Sequence, residues 1–177
     1  QATRGRVRLR RDVVLAVRVH QVEEREERAV GAVDPLERLG DDLIAQLDLT
    51  GSVPLPVLVP NERGLDRAIA AGVTHIATFA SATETFAQKN LNSTLDSQFA
   101  MYEPVVTRAR EAGLDVRAYV SMCFGDPWEG EVPIEQVVTT GKRLLDLGAS
   151  QLSIGDTIGV GTPGHVMAVI EGFSAAR

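Results

Sequence analysis

Apolar residues in this chain fall into short runs separated by longer stretches with helical spacing. Pro54 to Pro60 is a brief apolar run and reads as a buried strand. Glu62 to Ala71 carries apolar positions three and four apart and stops at Gly72, the pattern of a helix closed by glycine. His75 to Ala80 reads as a second strand, and Ser97 to Ala112 as a helix closed by Gly113. Val116 to Met122 follows as a third strand, then a helix from Pro133 to Leu147 with Gly148 after its end. Gln151 to Ile154 is a fourth strand and Pro163 to Ala175 a last helix. Strand then helix, repeated in this way, requires right-handed crossovers and a parallel sheet. The expected fold class is α/β, a partial (β/α)8 TIM barrel of about four βα units. A complete barrel takes about 250 residues. Half of one leaves two open sheet edges and an uncovered face. Three completions fit: strands from the N-terminal segment, pairing with another copy, or a chain that is a fragment.

Composition changes the picture at one end. Residues 1–42 are rich in Arg, Glu and Val, and the first aromatic residue of the chain is Phe79. Arg4, Arg6, Arg8, Arg10 and Arg11 make a basic start, and Glu23, Glu24, Glu26 and Glu27 an acidic follow-on. This stretch reads as a solvated strand and helix, as a disordered arm, or as an out-of-frame leader. The expected division is therefore an atypical segment over 1–42 and a partial barrel over 43–177. The rest is ordinary for a globular domain, with 44% hydrophobic and 24% charged residues among 177. A net charge of −6 gives nothing for nucleic acid or an anionic membrane to bind. No apolar run is long enough to span a bilayer, so no membrane partner is expected. The single Cys123 excludes an internal disulfide and suits a reducing, cytoplasmic compartment.

Candidate chemistry clusters where strands end. Ser153 to Gly164 reads as a strand end, a glycine-rich turn and a helix start, with Asp156 and Thr157 at the strand's carboxyl end. In barrels and doubly wound folds that end is where reactions occur. Thr162 and Pro163 suit a helix cap and first position. Gly159 to Gly164 also matches G-x-G-x-x-G, so a dinucleotide turn and a plain βα loop stand beside the catalytic reading. Against the dinucleotide, this turn follows the last strand rather than the first. Lys89, Asn90, Asn92, Ser93 and Thr94 follow the second strand after the polar loop of Ser81, Thr83 and Glu84. Their amides and hydroxyls suit a polyoxygenated substrate, and equally the capping of the next helix. Cys123 has no His beside it in sequence and reads as a small buried residue. His20, His75 and His165 show no metal-ligand spacing.

From about Val57 to Phe173 the chain resembles the 3-hydroxy-3-methylglutaryl-CoA lyase family. The matching residues are PVLVPNERG (Pro56 to Gly64), the pattern of Phe79, Ala80, Ala82 and Glu84, FAQKNLNST (Phe86 to Thr94), YVSMCFGDPWEG (Tyr119 to Gly130) and SIGDTIGVGTP (Ser153 to Pro163). The last is specific; isopropylmalate and homocitrate synthases differ at the turn after Asp-Thr. The resemblance implies a TIM barrel that cleaves 3-hydroxy-3-methylglutaryl-CoA to acetyl-CoA and acetoacetate with Mg2+ or Mn2+, by a retro-Claisen reaction. It makes Asp156 catalytic and Thr157 a substrate-lining residue. Asn90 and Ser153 would orient the acyl part, with Lys89 a further contact. The partner implied is an acyl-CoA, and a homo-oligomer is admitted.

The departures are specific. The family's first strand carries an Arg-Asp pair, and no L-R-D-G-type motif occurs here; Arg11-Asp12 lacks the surrounding pattern. The family's H-x-H pair and its glycine-rich loop with catalytic cysteine would lie downstream, and Cys123 is not that cysteine. The chain is therefore expected to be a fragment that binds no metal and has little or no lyase activity. The alternatives are another acyl-CoA lyase or aldolase of the same barrel type, and a non-catalytic half barrel that self-associates.

Overall fold

A computed structural model describes residues 35–49, 51 and 53–176. The readings made for residues 1–34 lie outside the described residues. Six helices and four strands are described: α1 (Pro35–Ile44), β1 (Val57–Leu58), α2 (Glu62–Ala70), β2 (His75–Ser81), α3 (Glu84–Leu91), α4 (Leu95–Glu111), β3 (Asp115–Ser121), α5 (Ile134–Leu147), β4 (Gln151–Ile154) and α6 (Pro163–Ala175). Helix α1 runs across the position where the composition shifts.

The strands form one parallel sheet in the order β1-β2-β3-β4. Sequential order with a helix after each strand is the wall of a barrel, as the alternation predicts. Ile76 and Ala80 of β2 and Val116, Ala118 and Val120 of β3 belong to one buried core. Tyr102, Val105, Val106 and Ala109 of α4 and Val137 and Leu144 of α5 complete it. Arg117, Tyr119 and Ser121 alternate with the core residues of β3 and are half-buried, so they line the opposite face. Ser153 pairs with Tyr119 across β3 and β4 and shares that face.

Three expectations are corrected. The apolar run at 54–60 yields only a two-residue strand, Val57–Leu58, because Pro54, Pro56 and Pro60 have no N–H for a ladder. One further bond, from Val59 N–H to the Ala77 carbonyl, extends the contact. Between the polar loop of Ser81, Thr83 and Glu84 and the helix expected from Ser97, where the pattern predicts no element, lies a helix, α3, that begins at Glu84. Its only buried residue is Ala87, so no apolar stripe announces it. Helix α4 starts at Leu95, ahead of the expected Ser97, because Thr94 and Ser97 form a reciprocal capping box.

Helices α5 and α6 pack through Gly141, where a Cβ would lie 2.5 Å from the Phe173 ring and 3.1 Å from Leu152 Cδ1. Alanine in a helix interior is favoured over glycine by about 1 kcal/mol. Here the crowding outweighs that gain, since overpacking typically costs about 1–3 kcal/mol. Gly141→Ala is therefore expected to lower stability by about 1 kcal/mol in urea unfolding. A stabilised variant would show that Phe173 yields freely.

Candidate functional site at the carboxyl ends of the strands

Register sets Ser81 beside Ser121 and Val120 beside Ile154, so the loops leaving β2, β3 and β4 gather on one rim. At β2, the Ser81 hydroxyl donates to the Thr83 carbonyl at 2.8 Å. The Gln98 side chain from α4 bonds both the N–H (2.9 Å) and the carbonyl (3.1 Å) of Ser81. Gln136 of α5 donates to the Ala82 carbonyl. The strand end is thus held by helices behind it before any ligand arrives.

The β3 loop is tied to the β2 loop by Asp126, a buried carboxylate of 3% exposure. Thr83 Oγ1 donates to Asp126 Oδ2 at 2.6 Å. Trp128 N–H and Glu129 N–H donate to Oδ1 at 2.7 and 3.0 Å. Burial pushes this carboxyl up, but the hydrogen bonds from Thr83, Trp128 and Glu129 outweigh it and leave it below the ordinary aspartate value. Glu129 Oε1 accepts from Thr85 N–H at 2.6 Å, a second tie between the loops. A third is Lys89, whose Nζ sits 5.0 Å from the centroid of the Trp128 ring. The Asp126-Pro127 pair reads in the sequence as a turn; its carboxylate's bond to Thr83, 43 residues away, carries no local signal.

The β4 loop is ordered by its own acid. Asp156 Oδ1 accepts from Val160 N–H at 3.0 Å and Oδ2 from Gly161 N–H at 2.9 Å. A Cβ on Gly161 would lie 2.9 Å from Oδ2, which is why this position is glycine. Those two N–H groups are ones a dinucleotide phosphate would need from the G-x-G-x-x-G turn, and Asp156 already occupies them. Thr157 Oγ1 accepts from Met122 N–H at 2.8 Å and secures Met122 in the left-handed region, at φ 61. Thr157 is thus a brace between β3 and β4. Cys123 is buried and its thiol is pushed up to about 12 by desolvation, against a hydrogen bond from the Gly155 backbone. It is neutral at physiological pH and unsuited to nucleophilic attack.

The residues singled out from the sequence divide into two groups. Ser153, Asp156 and Thr157 sit on or just beyond β4. Lys89 and Asn90 are exposed in the last turn of α3. The β3 loop lies between the groups, touching Lys89 through Trp128 and the β4 loop where Gly125 meets Val160. The rest of the polar motif caps helices: Asn92 ends α3 in the left-handed region at φ 48, and Thr94 opens α4. The tie that Asp126 makes between the β2 and β3 loops is what the sequence does not reveal.

Thr157→Val removes the acceptor of a buried-end N–H while preserving shape. It is expected to lower stability by about 1–2 kcal/mol, with Thr157→Ser close to the original. Equal unfolding midpoints for all three would show that Met122 needs no brace.

A family model described as HMGL-like matches residues 27–176. The cytoplasmic 3-hydroxy-3-methylglutaryl-CoA lyase of Rattus norvegicus is 44% identical over 119 residues, 67% of this chain and 35% of that protein. The hydroxymethylglutaryl-CoA lyase YngG of Bacillus subtilis is 39% identical over 141 residues, 80% of this chain and 47% of that protein. Among solved structures, the HMG-CoA lyase of Brucella melitensis superimposes with a TM-score of 0.75 at 36% identity, covering 78% of this chain and 49% of that one. The chain therefore spans less than half the length of each.

Proposed function

The chain belongs to the HMGL-like family, and from that membership we propose that it is the portion of a hydroxymethylglutaryl-CoA lyase barrel that bears part of the acyl-CoA-facing rim. The observation that carries this reading is the Asp156 turn. It presents an exposed carboxylate at the carboxyl end of β4 on a loop whose geometry that carboxylate itself creates. In this reading Asp156 receives the proton of the substrate's tertiary hydroxyl. The adjacent carbon–carbon bond then breaks to acetoacetate and the enolate of acetyl-CoA, and the enolate carbon takes the proton back from Asp156. Ser153 and Asn90 orient the acyl part and Lys89 is a further contact. Thr157 acts at the same site through its hold on Met122. The unit over 43–177 is the lyase-type portion, and a cytoplasmic location accords with the single buried cysteine.

The resemblance also implies Mg2+ or Mn2+. Among the described residues no group of three His, Cys, Asp or Glu side chains comes together to hold a metal ion. Asp126 is buried under three donors, and each oxygen of Asp156 accepts one N–H, which leaves a lone pair for a proton but brings no further ligand to the ion. The described residues do not fit the ion, and the role of Asp156 is proton transfer alone. Little lyase turnover is expected from this chain by itself. Near-normal cleavage with added Mg2+ would overturn that expectation.

The direct test is calorimetric titration with 3-hydroxy-3-methylglutaryl-CoA. Saturable binding is expected, weakened about fivefold by Asn90→Ala or Ser153→Ala, the loss of one hydrogen bond of about 1 kcal/mol. No saturable heat sinks the reading. A second reading, self-association of a half barrel, is favoured by the exposed row of Val166, Met167 and Ile170 on α6. A concentration-dependent dimer in size-exclusion chromatography supports it, and a monomer at all concentrations removes it. No helix among the described residues is long and apolar enough to cross a membrane.

A further inference from the structure

We propose that Gly125 of the β3 loop is a positioning residue for the Asp156 carboxylate, setting the edge that the acid turns toward a proton; this rests on the reading above, in which Asp156 takes the proton of a substrate hydroxyl. Asp156 is exposed at the rim. A carboxylate held through one oxygen can still turn about its Cβ–Cγ bond. Here each oxygen accepts its own N–H, Oδ1 from Val160 at 3.0 Å and Oδ2 from Gly161 at 2.9 Å, and the turning stops. The aim of the acid is therefore the aim of these two donors. Both lie in an exposed turn, with Val160 47% exposed, so burial of the turn does not fix them.

What backs them comes from the β3 loop. A Cβ on Gly125 would lie 2.9 Å from Val160 Cγ2 and 3.8 Å from Ile158 Cδ1, so both side chains lean on a position without a side chain. A Cβ on Gly161 would lie 3.2 Å from Phe124 Cγ, so the Phe124 ring stands behind the second donor. Gly125 is buried, and its backbone lies outside the left-handed region. The nearness of Val160, rather than an unusual backbone, is what calls for glycine there. The support is itself fixed. Phe124 packs against the main core. Asp126, next to Gly125, accepts the Thr83 hydroxyl at 2.6 Å and exchanges backbone bonds with Gly130 at 2.8 and 2.9 Å. The β3 and β4 loops are also laced along the backbone: Gly155 N–H donates to the Val120 carbonyl at 2.8 Å and Cys123 N–H to the Gly155 carbonyl at 3.3 Å. A proton acceptor displaced by about 1 Å loses about 10²-fold in rate, so a stiff neighbour for an exposed turn has a direct use at this site.

The test follows the amide protons at positions 160 and 161 of the whole chain by NMR, with Asp156→Ala as the reference for unbonded N–H groups. Gly125→Ala is expected to move the Val160 amide shift toward that reference and to lower its protection against exchange about fivefold, the loss of one hydrogen bond. The amides of β3 should keep their protection, which a general loss of stability would not allow. Adding Val160→Ala, which takes away the crowded methyl, is expected to restore the bond. Val160→Ala alone withdraws the same contact at an exposed position and should lower protection there as well. Unchanged protection at position 160 in both single variants overturns the proposal. So does an equal loss throughout β3, because Gly125 would then be a structural residue only. Titration of the same samples with 3-hydroxy-3-methylglutaryl-CoA reports on the acyl-CoA reading separately: no saturable heat removes that reading, while the amide response still assigns Gly125 to the aim of Asp156.

Discussion

Asp126→Ala is expected to lower the folding stability of this chain by about 2–4 kcal/mol, more than any change on the rim that leaves the buried carboxylate in place. The substitution removes no large apolar surface. Its cost arises from three donors left behind: the Thr83 hydroxyl at 2.6 Å and the N–H groups of Trp128 and Glu129 at 2.7 and 3.0 Å. Each unsatisfied buried polar group costs about 1–3 kcal/mol, reduced where water reaches the loop. Asp126→Asn should cost less, because its carbonyl oxygen still accepts the two backbone bonds and Thr83 can turn its hydroxyl toward Ser81 Oγ, 3.2 Å away. The same carboxylate imposes a pH dependence. Its folded pKa is depressed, so its contribution is complete above the unfolded aspartate value of about 3.9 and is lost as pH falls through the folded value. Urea midpoints measured from neutral pH down through pH 4 and below should therefore converge for the original chain and Asp126→Asn. If the gap between them is unchanged across that range, Asp126 is not the titrating group.

Tyr102→Ala carries the largest expected loss, about 3–5 kcal/mol, the range for emptying the site of a large aromatic side chain in a core. Tyr102 is fully buried at 0% exposure, beneath β2, with its ring centroid 6.2 Å from that of Phe79. Burial pushes its phenol far above the ordinary value, against a backbone hydrogen bond from Phe79 that falls outside ordinary geometry. The hydroxyl therefore contributes little, and Tyr102→Phe should match the original or exceed it slightly. Thermal unfolding of the two variants separates the contributions of ring and hydroxyl. A loss in Tyr102→Phe comparable to that in Tyr102→Ala would mean that the Phe79 bond is strong after all.

Much of the scaffold is legible without coordinates. The boundaries of Gln151–Ile154 and Pro163–Ala175 coincide with those read from the pattern, because a short apolar run and a Thr-Pro start are local signals. Helix α4 is read correctly through Pro104, since Phe99, Tyr102, Val105, Val106 and Ala109 keep one face buried on either side of it. Helix α3 is illegible for the opposite reason: one buried alanine makes no stripe. At the candidate site, Asp156 and Thr157 are legible as candidates from the motif around them. Their local work is not, since Thr157 reaches a backbone N–H 35 residues away.

The sequence by itself determined the parallel α/β wall, the rim end of each strand and the family, because periodicity, caps and motif spacing are all written within a few residues of one another. Only the tertiary structure decided that Asp156 accepts from the N–H groups of Val160 and Gly161 in the glycine turn and that Thr157 braces Met122. It also decided that Asp126 joins two loops under an exposed indole. Each of these is settled by which donors are left to satisfy which acceptors once distant strands are side by side. That competition exists only in the folded chain, where a buried polar group must find its partner or bear the full cost of lacking one.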